Sequence, residues 1–164
     1  MVKEGSLAKG EIQLVIFSLH GEEFGIDINQ VKEVLKFIQV THIPHTAEYV
    51  EGVINLRGEV IPVVNLRKRF DISDEKEEEL KKRIIIAKIE GDLVGLIVDS
   101  VSEVLRLPLR AVESPSGTVA GSRSEFLRGV GKHDDRLIII LELDKIIATE
   151  EKISLADLQE WQER

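Results

Sequence analysis

Val50-Glu51-Gly52-Val53-Ile54-Asn55-Leu56-Arg57-Gly58-Glu59-Val60-Ile61-Pro62-Val63-Val64-Asn65-Leu66 is the stretch on which the fold turns. Runs rich in Val and Ile flank Arg57-Gly58, and the glycine supplies the positive φ of a tight hairpin turn. The stretch reads as two antiparallel strands with Asn55 and Arg57 at the tip. Pro62 has no N–H to give to a ladder, which places the hairpin at a sheet edge or beside a bulge.

Outward from this hairpin the chain stays extended. Alternation over 11–19 predicts a strand, 20–22 a turn and 23–27 a second strand. One helical turn is predicted near 29–32, then extended chain over 36–43 up to Pro44. A helical turn follows the hairpin at 66–70. The block 73–83 is dense in charge and reads as a solvated loop or short exposed helix. Residues 83–90 and 93–99 form another hairpin, and 126–143 holds two strands around Lys132-His133-Asp134-Asp135. A helical turn fits 144–148. The Pro/Gly-rich 114–124 is the most flexible interior loop. Residues 1–10 read as a tail. The last segment, 151–164, reads as a helix with Leu155, Leu158 and Trp161 as its apolar stripe.

The two halves repeat. Gly25-Ile26-Asp27-Ile28 returns as Gly95-Leu96-Ile97-Val98 at an offset of 70, and the match runs on through Val34-Leu35 and Val104-Leu105. Tyr49-Val50-Glu51-Gly52-Val53 returns as Phe126-Leu127-Arg128-Gly129-Val130 at an offset of 77, as does 60–66 at 137–143. Two units of about five short strands each imply an all-β chain of two small barrels packed together, since closing a sheet removes its exposed edges.

Composition excludes several functions. The 164 residues carry a net charge of −8, against the basic patch of a nucleic-acid binder. There is no cysteine, hence no disulfide frame, thiol nucleophile or Cys-ligated zinc. No apolar run nears the roughly 18 residues of a membrane span, and 1–11 is too polar for a signal peptide. His20, His42, His45 and His133 lack ligand spacing, so no metal and no cofactor is expected. Gly129-Val130-Gly131-Lys132 is followed by a strand rather than the helix a phosphate loop needs. Ser114 and Ser116 lack the flanking glycines of a nucleophile elbow. No catalytic constellation remains, so an enzyme is not expected.

The hairpin motif, with Glu22-Glu23-Phe24-Gly25-Ile26-Asp27-Ile28, Val94-Gly95-Leu96-Ile97-Val98-Asp99-Ser100-Val101 and Asp135-Arg136-Leu137-Ile138-Ile139, resembles the bacterial chemotaxis coupling protein family, CheW. The resemblance covers nearly all of 11–150. It implies two intertwined five-stranded SH3-like barrels around a shared core. It also implies a cytoplasmic adaptor that joins the tips of transmembrane chemoreceptors to the chemotaxis histidine kinase in arrays beneath the inner membrane. The same module serves as that kinase's regulatory domain, but no kinase, phosphotransfer or receiver segment accompanies it here. Two other readings stay open. One is a coupler for another sensory pathway, such as pilus motility; the other is a small hydrolase or ligand-binding barrel, which would need a polar pocket with convergent titratable groups.

The resemblance also points to residues. Val31, Glu33 and Val98 match positions that the family turns towards receptors, although Val31 and Val98 read equally well as core. Arg57 matches an arginine used in signalling, as a contact or as a support of its hairpin. With Val34 and Asn55 these residues are expected to form a receptor groove. From the repeat, the Val40, Thr41, Ile43 end is expected to make the main kinase contact. A weaker one is expected from Val112, Glu113, Thr118 and Val119, taking 110–113 as the counterpart of 40–43.

Overall fold

The computed structural model describes residues 10–44, 46–72, 79–114 and 126–147. The tail and the C-terminal helix expected from sequence fall outside these residues, as do most of the charge block and of the Pro/Gly loop, His45, Thr118 and Val119.

Among the described residues two sheets form. One carries β3 (Val31–Lys36), β6 (Arg83–Ile89), β7 (Asp92–Val98), β5 (Glu59–Asn65) and β4 (Val50–Leu56), side by side in that order. The other runs β8 (Ser100–Pro108), β1 (Glu11–Leu19), β2 (Glu22–Asp27), β11 (Arg136–Leu141), β10 (Leu127–His133) and the two-residue β9 (Val112–Glu113). A single helical turn, α1 (Leu66–Arg69), follows β5. No described helix is long and apolar enough to cross a membrane.

The first sheet closes on itself through the chain beyond β3. Thr41 exchanges two backbone hydrogen bonds of 2.9 Å with Val53 of β4. The second closes in the same way, where β9 pairs with Val130 and Gly131 of β10. Each barrel thus has five principal strands and a short closing piece.

The barrels are intertwined. The β6–β7 hairpin, from the second half of the sequence, completes the first barrel, and the β1–β2 hairpin completes the second. The parallel pairings show the symmetry: Val63 faces Gly95 in one barrel, and its repeat counterpart Ile140 faces Gly25 in the other.

This arrangement explains why β1 and β6 read as nearly continuous apolar runs, since both of their faces are covered. Ile84 and Ile86 fill the first barrel with Ile54, Ile61 and Val63. Leu14 and Ile16 fill the second with Ile138 and Ile140. The alternate residues Ile85, Ala87, Val15, Phe17 and Leu19 meet in the larger core between the barrels. Four of the five phenylalanines form a ladder there: Phe17 to Phe24 at 5.7 Å, Phe24 to Phe70 at 6.1 Å, and Phe70 to Phe126 at 5.4 Å between ring centroids.

Three expectations are refined. Pro62 lies in β5, an interior strand, where it is tolerated because its partner Val53 gives both backbone groups to Thr41. A register shift between Val50 and Gly52 supplies the bulge. The predicted extended segment 36–43 is a strand only to Lys36, and β3 begins earlier, after a 3-10 turn at Ile28–Gln30 capped by the Asp27 carboxylate. Sequence had shown no strand over β8, because Ser102, Glu103 and Val104 all face solvent and hide the alternation.

Candidate functional site

The tip of the β4–β5 hairpin is built to hold one arginine out. Arg57 and Gly58 both have positive φ, 51° and 88°. That is the type I′ geometry whose twist suits a two-residue hairpin. The Asn55 side-chain oxygen accepts the Gly58 N–H at 2.9 Å and locks the turn. Asn55 is therefore exposed, but its carbonyl is already engaged.

Arg57 reaches across to Glu33 of β3, its guanidinium donating to the carboxylate. A bulge between Val31 and Glu33 resets the alternation of β3, which brings Glu33 to the barrel mouth in line with Leu35. The Arg57 side chain is 69% exposed and that of Glu33 33%. A pair so wet contributes under about 1 kcal/mol to folding. Most of the five guanidinium donors still face outward, available to a partner carboxylate or carbonyl.

β3 is the terminal strand of its sheet, and its two faces carry different chemistry. Glu33 pairs with Ile86 and Leu35 with Ile84, on the side of the barrel interior. Val31 pairs with Ala87 and Val34 with Ile85, on the side of the inter-barrel core. Val34 is 40% exposed and Val31 half-buried. The structure thus brings Glu33, Asn55 and Arg57 together at the barrel mouth and puts Val31 and Val34 on the opposite face. Among the described residues no strand pairs with the outer edge of β3, where these two faces meet.

Val98 corrects one expectation. Its side chain has no exposed surface and lies in the inter-barrel core. It can support a groove from beneath but cannot itself touch a partner.

The second cluster lies at the closing pieces. Thr41 is exposed, Val40 packs on the first barrel's interior, and Ile43 is half-buried. Gly52 stands against Thr41 with φ 145°, and a Cβ there would lie 1.8 Å from the Thr41 carbonyl oxygen. An open groove of about 490 Å³ beside Val40 is lined by Phe37, Glu51, Asn65 and Lys82. In the second barrel Val112 packs inward, while Glu113 is exposed and pairs with Lys132 at 2.6 Å. The register here differs from the expected one. Val53 and Val130 are repeat counterparts, and their partners are Thr41 and Glu113. Glu113, rather than Ala111, is therefore the counterpart of Thr41, because β8 and its 3-10 turn add two residues before the closing piece.

Three arginines carry roles that sequence did not disclose. Arg67, in the helical turn after β5, is 3% exposed and donates to Asp99 through Nε at 2.8 Å and Nη2 at 2.7 Å. Burial pushes the Asp99 carboxyl up. The Arg67 hydrogen bonds and the His20 N–H, at 2.8 Å, outweigh this and hold it below the usual aspartate range. Burial likewise works against Glu51, yet Lys68 at 2.8 Å and Asn65 at 2.9 Å keep its carboxyl low. Arg69 lies 4.6 Å from the centroids of both Tyr49 and Phe126, which are repeat counterparts, and donates to the Ile146 carbonyl. Arg136 joins β11 to β2 and β8 through Glu23 and Glu103. The one available signal was position, with Arg67 directly after Leu66, at the end of a buried strand.

A cavity of about 380 Å³ opens beside the second barrel, walled by Phe24, Phe70, Phe126 and Leu141, with His20, Glu22 and Asp71 at its mouth. The carboxylates with shifted pKa, Glu23, Glu51 and Asp99, lie outside it, each paired with a cation. Among the described residues no group of His, Asp and Glu could hold a metal ion.

Comparison with known proteins agrees with this geometry. The family model for the CheW-like domain matches residues 13–151. The chemotaxis protein CheW of Treponema pallidum is 36% identical over 151 residues, covering 90% of this chain and 89% of that one. That of Thermotoga maritima is 36% identical over 137 residues, covering 84% and 88%. The crystal structure of the scaffolding protein TtCheW from Thermoanaerobacter tengcongensis superposes with a TM-score of 0.79 at 40% identity, covering 85% of this chain and 94% of that one. Family model, relatives and superposed structure all span the two barrels together, and the chain belongs to the family of CheW-like domains.

Proposed function

We propose that this chain is a non-catalytic chemotaxis scaffold that couples the cytoplasmic tips of chemoreceptors to the chemotaxis histidine kinase, within arrays beneath the inner membrane. The observation that carries the receptor half is the Arg57–Glu33 pair over the outer edge of β3, the terminal strand of its sheet. A helical receptor tip offers an apolar stripe flanked by polar groups. The edge of β3 answers with Val31 and Val34 on one side and Glu33, Asn55 and Arg57 on the other. Val98 supports this surface from the core.

The kinase half rests on Val40, Thr41 and Ile43. Thr41 is exposed, yet its backbone is fixed by two hydrogen bonds to Val53, so docking there orders little further chain. Val112 and Glu113, at the matching place on the second barrel, make the weaker contact that closes an array. Thr118 and Val119 belong to the same proposal from sequence alone.

Reconstitution of receptor, kinase and this chain tests the reading. Arg57→Ala lowers receptor-dependent kinase activation while folding stability stays within about 0.5 kcal/mol of the parent. Thr41→Arg weakens binding of the isolated kinase regulatory domain. A large loss of melting temperature in Arg57→Ala with unaltered kinase coupling shows instead that Arg57 only supports its hairpin.

A further inference from the structure

The repeat gives the molecule two versions of the Arg57 face. Glu33 pairs with Ile86 in the first barrel, and its counterpart Glu103 pairs with Ile16, the counterpart of Ile86, in the second. Both edge strands carry a bulge at the same place, between Val31 and Glu33 and opposite Ile16 and Phe17. Val34 is 40% exposed beside Glu33, and Val104 is 50% exposed beside Glu103. In each barrel an arginine from the neighbouring hairpin reaches that glutamate: Arg57 at the turn in one, and in the other Arg136, two residues past Asp134, which holds the repeat position of Arg57. A protein with two such faces would accept the same helical partner in two places. Specificity then requires that one face be disabled as well as the other made good.

The faces differ in how their arginine is held. Arg57 has one carboxylate and a side chain 69% exposed. Arg136 has two, and its side chain is 34% exposed. Glu23 takes its Nε at 2.9 Å and Nη2 at 2.7 Å in a two-point fork, and Glu103 takes Nη2 at 2.7 Å. Glu23 is the added element, since its repeat counterpart in the first barrel is Leu93, which packs against the barrel interior. Three of the five guanidinium donors of Arg136 are thus engaged, against one of Arg57, and the Nε–Nη2 edge that would grip a partner carboxylate in a fork is taken by Glu23.

We infer that Glu23 is a specificity-determining residue, which occupies Arg136 and so keeps the second barrel's edge, around Glu103 and Val104, from accepting the helical receptor tip that the first barrel's edge binds. The inference rests on the receptor reading of the Arg57 face. In support, the Glu23 carboxyl is held below its usual range, chiefly by the Arg136 hydrogen bond, and Arg136 is pushed further up by Glu23 and then Glu103.

The test is an NMR titration of the full chain with a soluble coiled-coil fragment holding the cytoplasmic tip of a receptor from the source cells. Arginine Nε–H signals and strand amides are followed, and bound equivalents are counted by sedimentation. In the parent chain Arg57 and the β3 amides shift and saturate at one site, while Arg136 and the β8 amides stay in place. In Glu23→Leu, which copies the first barrel, Arg136 and the Val104 amide shift too, and a second equivalent binds. Glu23→Gln keeps the shape, removes the charge and gives the same result more weakly; it decides the matter if the leucine variant does not fold. Arg57 responding while Arg136 and β8 stay silent in the folded variants overturns the inference alone. Equal responses at both edges of the parent chain also overturn it. Silence of Arg57 in the parent chain overturns the receptor reading, and the inference with it.

Discussion

Replacing Gly52 by alanine separates the closure of the first barrel from everything else. The backbone there has φ 145°, and a Cβ would sit 1.8 Å from the Thr41 carbonyl oxygen and 2.7 Å from its carbon. Both neighbours are backbone, so no side chain can swing aside. The closing piece must peel from β4, losing the two Thr41–Val53 hydrogen bonds. Each contributes about 1 kcal/mol. An L-residue held at this φ adds about 1–3 kcal/mol of strain. The sum is about 4 kcal/mol. For a chain of this size each kcal/mol lowers the melting temperature by about 2–4 °C, so a fall of about 8–16 °C is expected. Gly129→Ala is the internal control. Its Cβ meets the Glu113 carbonyl oxygen at 2.8 Å and a Val112 methyl at 2.9 Å, so relaxation is easier and the loss should be about half as large or less. Calorimetry gives the melting temperatures, and hydrogen exchange reports the Thr41 and Val53 amides, which lose protection only in Gly52→Ala. The same variant should bind the kinase regulatory domain more weakly, since Thr41 is no longer fixed. A Gly52→Ala protein melting within about 3 °C of the parent, with both amides still protected, refutes the reasoning.

Val98→Glu buries an unpaired carboxylate in the inter-barrel core and should unfold the chain or cost several kcal/mol in a urea titration, whereas Val34→Glu should leave the urea midpoint nearly unchanged and weaken receptor binding. The depressed Asp99 carboxyl gives stability that is fully present above its unfolded pKa of about 3.9 and is lost as pH falls through the lower folded value. Asp99→Asn should therefore flatten the acid limb of the urea midpoint between pH 5 and 2, as read by circular dichroism, and cost about 3 kcal/mol at pH 7 by leaving Arg67 with a neutral partner; an unchanged acid limb would show that Asp99 does not set it.

Much of the fold was legible because its local signals agree. The Arg57-Gly58 turn, the alternation of β1 and the helical turn after Leu66 all stand where sequence put them. The repeat offsets held wherever both halves carry the same number of residues, and failed at Glu113, where β8 and its turn are two residues longer. β8 escaped notice because an edge strand half in solvent has no face to bury over Ser102, Glu103 and Val104. The polar part of the site was legible as residue types at a hairpin tip. The apolar part was not: a valine that lines a groove and one that fills a core look alike in sequence, and only the inter-barrel packing sends Val98 to the core and Val34 to the surface. Arg67, Arg69 and Arg136 stayed hidden because the partners described above lie 20 to 113 residues away.

The exchange of hairpins also means that neither half of the sequence is a folding unit. Residues up to Ile72 supply β3, β4 and β5 but lack β6 and β7, so their barrel stands open; the second half lacks β1 and β2 in the same way. Long-range closure must therefore precede any complete core, so unfolding is expected to be a single cooperative event and folding slow for the chain's size. The molecule is in effect a dimer whose two protomers have been fused end to end. Fragments from a chain severed between Ile72 and Glu79 should therefore complete one another without a covalent link. Two intact chains crowded together can trade halves and satisfy every contact of the monomer twice over.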